Sequence, residues 1–510
     1  MENRNPRWGS WADAPMPFSP DEFTETLHTE VLVIGAGIAG ISCAYSAAQC
    51  GSQVIVLEKS GTFTGRGPNI GVPNSALMKK HGIVNDIDEL TREWIKRCGN
   101  RCDERLVRLY MERSEEAIDW LLELLARPEY DVGVDIQGCR YLGESYYEIN
   151  SHIVFKGPSF LNSTSGGLRV ALEPMYQEAV KLGARFLFHT PMLQLIKEDG
   201  RVVGAAAKTA DGRLIAVRAS KGVVLATGGI DGNDEMCEDL CPVANKVAQK
   251  IGGPKGGNLG DGHRAALWAG AAFDEDTFPT VMHPQAIRHA SYCFLFVKPD
   301  GKRFMNEDNY LQAKSLGIIK AGLKYAWTVF DSDWPTKIPA TLSYGGGLYW
   351  GEDHGYNDPP FNPDFVAARI QWGLDAGYTV MADTPEELAE KMGVDPVGFA
   401  ETLKHYNEMC AKGHDDEFGK RKELLIPLDK PPYIARKFGP ALLAVVGGVK
   451  VNLQMQVLDG SCAPIPGLYA IGNTAGGRYG VDYPMLIPGN SHGSALTFGY
   501  LLGRQFGENS

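Results

Sequence analysis

One short stretch limits the fold more than any other: Val31-Leu32-Val33-Ile34 followed at once by Gly35-Ala36-Gly37-Ile38-Ala39-Gly40. The apolar, β-branched run suits a buried parallel strand, and the Ala-rich residues that follow to Cys50 suit a helix. A second strand, Gln53 to Leu57, ends on Glu58, 18 residues after Gly40. Strand, glycine turn, helix, strand and terminal carboxylate make the opening of a dinucleotide-binding unit. In that reading Gly35 makes the tight turn, Gly37 lets backbone approach a pyrophosphate, and Gly40 lets helix touch strand. The helix N-terminus then faces the negative charge.

Composition narrows the remaining classes. The chain has 510 residues and 60 glycines, and 62 acidic against 50 basic residues leave a formal charge of −12. That balance argues against nucleic acid as a partner, because phosphate recognition needs a basic face. The longest apolar stretch, Val31 to Ala48, is broken by Gly35, Gly37 and Gly40, so no transmembrane segment is expected, and no basic leader precedes it. Ten scattered cysteines without CxxC pairs read as reduced thiols of a cytoplasmic protein, with no metal site.

Along the chain, residues 1–28, with Trp8, Trp11, Pro15, Pro17 and Pro20 among polar residues, read as an N-terminal arm lying on the body. Leu90, Trp94, Cys98, Leu106, Leu109, Ile118, Leu121 and Leu125 recur at helical spacing, so amphipathic helices are expected over 86–125, covering the sheet. Phe186 to Thr227 reads as a strand, two hairpin strands and a separate buried strand, Val223-Val224-Leu225-Ala226, set off by Lys221-Gly222. Residues 276–435, richer in Pro, Tyr and Trp, read as an inserted domain. Gly467 to Gly472 returns to strand and turn, and Ser491 to Arg504 to a last helix. The expected fold is α/β: a discontinuous Rossmann-like domain from 29–275 and 436–510, with an α+β capping domain at 276–435 inserted into it.

The glycine-dense Thr64-Gly65-Arg66-Gly67-Pro68-Asn69-Ile70-Gly71 just after the ribose carboxylate is unusual for NAD and suits a flavin. With it the chain resembles the fumarate reductase and 3-ketosteroid dehydrogenase group of FAD enzymes. The matching pieces are VLVIGAGIAG with Glu58-Lys59, the stretch to Gly71, VVLATGG at 223–229, GDG at 260–262, His283-Pro284, GKRFMNE at 301–307, IPGLYAIGN at 465–473 and GSALTFGY at 493–500. They occur in the family's order over residues 30 to 504. The resemblance implies FAD, with Gly35, Ala36, Gly37, Ile38, Ala39, Gly40, Glu58 and Lys59 around its ADP half. It places Arg66, Gly67, Asn69, Ile70 and Gly71 toward the flavin, and adds Leu193, Thr227, Gly228, Asp261, Gly472 and Asn473 to the cofactor set. Ser494, Ala495 and Leu496, opening the last helix, would face flavin N1 and O2, where reduced flavin carries negative charge. Residues 59–71 contain no histidine, so the FAD is expected to be bound non-covalently.

On the substrate side the departures inform more than the matches. The arginine that fumarate reductases place four residues after the Glu of the R-F-x-N-E run is missing: Glu307 is followed by Asp308, Asn309, Tyr310 and Leu311. The family's T-E-x-x-R stretch, its histidine before the late G-G-V, and its H-G-x-N-R are absent as well, the last replaced by Tyr479-Gly480-Val481-Asp482-Tyr483. Fumarate is therefore not expected. Ketosteroid dehydrogenases place one tyrosine after N-E and a second in Y-P-x-x-G, and Tyr310 and Tyr483-Pro484 resemble those two. The resemblance implies a hydride moved between flavin N5 and a C=C bond conjugated to a ketone. Tyr483, with the Gly489 amide, would hold the carbonyl oxygen while Tyr310 handles the proton.

Three further residues are candidate substrate contacts with a plainer alternative each. His283 either touches substrate or braces the domain junction, His492 touches substrate or caps the last helix, and Arg478 binds an acidic group or is solvated. Tyr146 or Tyr147 could supply a third phenol. The expected partners are a small hydrophobic enone or ketone, steroid-like in one version, and an external electron donor or acceptor. Two rivals stand: a fumarate- or urocanate-like reductase of unsaturated carboxylates using Arg478, and a non-catalytic electron-relay flavoprotein.

Overall fold

The computed structural model describes residues 8–67, 69–130, 132–137, 151–156, 168–252, 257–287, 293–342, 344 and 361–508. Strand β1 runs Glu25–Ile34, helix α1 Ile38–Gln49 and strand β2 Val54–Leu57. Val31, Leu32, Val33 and Val56 are fully buried, as a parallel strand covered on both faces requires. β1 pairs in parallel with β2, Val31 opposite Val54, and on its other side with Leu214–Leu225. Pro464–Ala470 continues the parallel sheet beyond Leu214–Leu225, and Arg185–Leu187 extends it beyond β2. A hairpin of Met192–Glu198 and Arg201–Lys208 joins antiparallel to Leu214–Leu225.

Two expectations are corrected here. β1 starts at Glu25, so the last four residues assigned to the arm belong to the sheet. The strand expected to begin at Val223 is the end of one twelve-residue strand. Lys221-Gly222 does not interrupt it, because the missing side chain makes room for two rings: a Cβ on Gly222 would stand 2.6 Å from Tyr469 and 3.2 Å from Phe506. The arm itself docks by Trp8 and Trp11 on Phe273, with ring centroids 5.6 and 6.4 Å away, and Trp11 Nε1 donates to Asp239 at 2.6 Å.

The helices Ile87–Arg97 and Glu104–Leu125 form where the apolar spacing predicts. They do not lie on the sheet. Glu104–Leu125 packs on α1's other neighbour, the last helix Asn490–Glu508, and on Leu168–Lys181. Trp120 makes that joint, its ring 5.0 Å from Tyr45 of α1 and 4.9 Å from Tyr500 of the last helix.

A second, antiparallel sheet is built from Leu295–Val297, Ala326–Asp331, Tyr433–Phe438 and Thr379–Ala382 in spatial order. Beneath it sits a buried ion network. Arg303 donates to Glu307 at 2.8 and 3.0 Å and to Asp415 at 3.0 Å, and Lys420 Nζ lies 3.3 Å from Glu307. Thr280–His283 pairs with Ala441–Val445, which also pairs with Gln249–Lys250, so a small sheet ties this region back to the first.

Candidate functional site

A cleft opens at the carboxyl ends of the parallel strands, where α/β sheets bind ligands. Its floor is the glycine turn. Gly35 has φ +105°, and a Cβ there would stand 2.4 Å from the Ala226 carbonyl oxygen. A Cβ on Gly40 would lie 1.9 Å from the Gly35 oxygen, so helix and turn touch. At Gly37 an added Cβ meets nothing within 4 Å: that space is the cavity. Gly37 caps α1 with no side-chain hydrogen bond, which leaves the helix's first amides facing the open volume.

Opposite this turn Glu58 is buried, accepting from the Ala36 amide at 2.8 Å with one carboxylate oxygen and from the Ser60 amide at 2.8 Å with the other. Lys59 pairs with Asp261 at 2.8 Å. Arg66 lines the same wall. Its Nη1 is buried without a hydrogen-bond partner, 3.9 Å from Asp231, which is the arrangement expected of a donor reserved for an anionic ligand. Open helix amides, a close-approach glycine, a buried carboxylate and an orphaned guanidinium together fit a dinucleotide bearing a pyrophosphate.

Most residues assigned to the cofactor from sequence line this cavity: Gly35, Gly37, Ile38, Ala39, Glu58, Lys59, Arg66, Thr227, Gly228, Asp261, Gly472, Asn473 and Ala495. Ala36, Gly40, Gly67, Ser494 and Leu496 are not part of that lining, and Gly67 is exposed beside the His492 ring. Leu193 is displaced from its assignment: Pro191 and Met192 line the wall, and alternation along the strand turns Leu193 away. Thr190, Gly257 and Asn258 also line it and were not anticipated. Asn258 has φ 52° and donates to both oxygens of Asp231, an interaction that links residues 27 apart and leaves no local motif.

The last helix locks against the glycine-rich stretch. A Cβ on Gly71 would lie 2.2 Å from the Pro488 oxygen, and one on Gly493 would lie 1.7 Å from the Gly71 oxygen. Gly489, at φ +77°, accepts from the Gly71 amide at 2.9 Å and abuts Asn69, while Ile70 is fully buried. His492 lines the cofactor cavity, its Nδ1 2.7 Å from the Asn69 oxygen, and burial lowers its pKa to about 4, so the ring is neutral.

Beside this joint lies an aromatic wall. The Tyr110 hydroxyl donates to the Gly71 oxygen at 2.6 Å, and Trp94 Nε1 donates to the Arg478 oxygen at 2.8 Å. Tyr479 packs between Trp94 and Tyr483, with centroids 5.7 and 5.4 Å away. The Tyr483 hydroxyl accepts from the Ser491 amide at 3.2 Å, at the opening of the last helix. Tyr310 donates to Asp482 at 2.6 Å, so both tyrosines singled out by sequence meet one turn of chain. Burial and the neighbouring Asp482 carboxylate push the Tyr310 phenol above its ordinary range, against the pull of Arg97.

Arg478 is corrected. It is neither solvated nor turned to a ligand: it is buried, its Nη2 donates to the Gly472 and Ala475 carbonyls, and its guanidinium lies on the Tyr479 and Phe498 rings. His283 is buried in its strand, and burial lowers its pKa to about 3. Tyr146 and Tyr147 lie outside the described residues.

Fold and cavity define an FAD-dependent oxidoreductase. The chain belongs to the FAD binding domain family, whose sequence profile matches residues 30–486. It is 27% identical over 503 residues to a vinyl phenol reductase of Lactiplantibacillus plantarum, covering 93% of this chain and 95% of that protein. It is 26% identical to a 3-oxosteroid 1-dehydrogenase of Mycolicibacterium smegmatis, covering 92% and 96%. Its fold resembles the open conformation of a flavocytochrome c3 fumarate reductase at TM-score 0.67 and 24% identity, covering 98% of this chain and 82% of that one. No helix among the described residues is long and apolar enough to cross a membrane.

Proposed function

We propose that the protein reduces a C=C bond conjugated to a ketone, in a small hydrophobic substrate that docks between the cavity and the inserted region of 276–435. The observation that carries this reading is that the Tyr310 hydroxyl bonds to Asp482, the residue next to Tyr483, whose own hydroxyl takes the Ser491 amide at the opening of the last helix. Non-covalent FAD, held by the cavity residues named above, would supply the hydride at its N5. The Tyr483 hydroxyl accepts from the Ser491 amide and, in this reading, donates to the substrate's carbonyl oxygen, where charge develops as the β-carbon accepts hydride. The Gly489 amide is the second donor in this reading. Tyr310 supplies the proton that the α-carbon takes up.

A reductase of fumarate-like carboxylates is less supported, since Arg478 is buried and its Nη2 is engaged by the Gly472 and Ala475 carbonyls. A second reading within the same chemistry draws on the vinyl phenol reductase relative. In a hydroxystyrene the ring hydroxyl is conjugated to the double bond, and Tyr483 would polarise that oxygen in place of a ketone. Both are tested by reducing the FAD-loaded enzyme anaerobically and adding candidate acceptors. Conjugated ketones or hydroxystyrenes should restore the yellow colour and fumarate should not; rapid reoxidation by fumarate alone overturns the proposal.

A further inference from the structure

Tyr310 is one member of a three-residue stack assembled from distant segments. It precedes the helix Leu311–Lys320 as its N-cap, and the Arg97 guanidinium, in the last turn of Ile87–Arg97, lies over its ring at 5.4 Å. Arg97 Nη1 is buried with no hydrogen-bond partner. On the other side the Tyr310 hydroxyl meets Asp482 Oδ2 at 2.6 Å. Asp482 is itself fixed. Its Oδ1 accepts from the Tyr483 amide at 2.8 Å, its own amide donates to the Tyr479 oxygen at 3.2 Å, and its carbonyl faces Cys98 Sγ at 3.7 Å.

A phenol that gives its proton to carbon must regain one in every turnover, and the half-buried Tyr310 hydroxyl already lies 2.6 Å from a carboxyl group that can return it. We propose that Asp482 is the proton reservoir of Tyr310, and that Arg97 is a positioning residue whose charge holds the phenolate formed in between. This deepens the reading of Tyr310 as the proton donor and rests on it. In the step, the Tyr310 O–H bond breaks as the substrate's α C–H bond forms. The acid proton of Asp482 then crosses the short contact, so that the Asp482 O–H bond breaks and the Tyr310 O–H bond re-forms. Water reprotonates the carboxylate. One proton passes from solvent to carbon, and no electrons change owner within the relay.

The electrostatics agree with that order. Burial raises the Asp482 pKa, outweighing the Tyr310 and Tyr483 hydrogen bonds, Gln312 and the Arg97 charge, so the acid form persists closer to neutrality than for an exposed aspartate. The groups facing it are Arg97 and Cys98, with Cys102 behind, from the first helix; Tyr310 and Gln312 from the second; and Tyr479 and Tyr483 on its own loop. The competent form is protonated. Turnover limited by the relay is therefore full below the raised pKa and falls as pH rises through it.

Asp482→Asn and Asp482→Glu separate a relay from a latch. Asparagine still accepts the Tyr310 hydrogen bond but carries no acid proton; glutamate carries one. In the FAD-loaded enzyme supplied with an artificial one-electron reductant, steady-state reduction of a conjugated ketone should fall about 100-fold in Asp482→Asn and lose its high-pH decline, with KM within about threefold. Asp482→Glu should keep the decline and recover part of the rate. The second readout needs no substrate: tyrosinate absorbance against pH, taken as the difference from Tyr310→Phe. Removing the neighbouring carboxylate in Asp482→Asn should bring the Tyr310 titration to lower pH, and Arg97→Met should move it higher. A wild-type rate and pH profile in Asp482→Asn overturns the relay. An unmoved titration in either variant overturns it whatever the substrate, whereas failure of every enone and hydroxystyrene against wild type, with the titration shifts present, sinks only the assigned substrate class.

Discussion

Gly37 and Gly40 stand one helical turn apart, and an added methyl should act oppositely at the two. At Gly37 the new carbon meets no protein atom within 4 Å, and φ of −85° suits any residue. Restricting the unfolded chain stabilises by about 0.4–1 kcal/mol, offset by about 0.5–1 kcal/mol for alanine at a helix N-cap. The empty fold of Gly37→Ala should therefore melt within about 1 °C of wild type. Its methyl instead occupies the space a pyrophosphate needs. Losing one charge-assisted hydrogen bond of about 1.5–3 kcal/mol raises the Kd for FAD about 10- to 100-fold.

At Gly40 the added carbon falls 1.9 Å from the Gly35 oxygen. Gly35 has nowhere to go: its amide donates to Leu57 at 2.7 Å, and its Cα already faces the Ala226 carbonyl. The gain of about 1 kcal/mol in helix propensity is outweighed by backbone overpacking at or beyond the upper end of about 1–3 kcal/mol. A net loss of about 2 kcal/mol lowers Tm by roughly 2 °C in a chain of this length. Thermal melts of the apoprotein with FAD fluorescence titrations measure both quantities. An unstable Gly37→Ala with normal FAD affinity, or a neutral Gly40→Ala, would refute the geometry of the turn.

Three further outcomes follow from named contacts. Arg66→Met should weaken FAD binding about 10- to 100-fold with little change in the apoprotein Tm, since Nη1 makes no hydrogen bond within the protein; calorimetric titration measures it. Arg303→Met leaves Glu307 and Asp415 buried without their shared cation, and chemical denaturation should show a loss of about 3–5 kcal/mol. The same network sets an acid limit. Burial pushes the Asp415 pKa up, but the Arg303 hydrogen bond and the Lys420 and Glu417 amides outweigh it and hold the group below the carboxylate range. That stability is complete above the unfolded pKa of about 4 and drains away as pH falls below it. Melts between pH 7 and pH 3 should therefore decline, and Asp415→Asn should flatten the decline.

What could be read from the sequence was local. The glycine turn, α1, β2 and Glu58 lie within 30 residues of chain, and their chemistry is fixed by neighbours. The amphipathic helices of 86–125 were equally legible as helices, but not their address, because the period that marks an apolar face does not say what covers it. Trp94 and Tyr110 therefore looked like ordinary core residues, while in the fold they reach the Arg478 and Gly71 carbonyls across 384 and 39 residues. Arg97, Tyr310 and Asp482 show the same limit: the Tyr310–Asp482 bond spans 172 residues, and neither Arg97 nor Asp482 carries a motif of its own. Arg478 failed for a further reason. Arginine in a glycine-rich loop reads as exposed, and only the carbonyls of Gly472 and Ala475, turned inward by the tight chain, make burial possible.

The central claim, that two tyrosines activate a conjugated C=C bond toward the bound cofactor's hydride, is tested most directly by stopped-flow reoxidation of the reduced, FAD-loaded enzyme. The comparison is between a conjugated ketone and fumarate, in wild type, Tyr310→Phe and Tyr483→Phe. The account predicts reoxidation by the ketone alone, slowed about 10²–10³-fold by Tyr483→Phe and about 10²-fold or more by Tyr310→Phe, with FAD content unchanged. Rates within threefold of wild type in both variants, or fumarate outpacing the ketone, would contradict it.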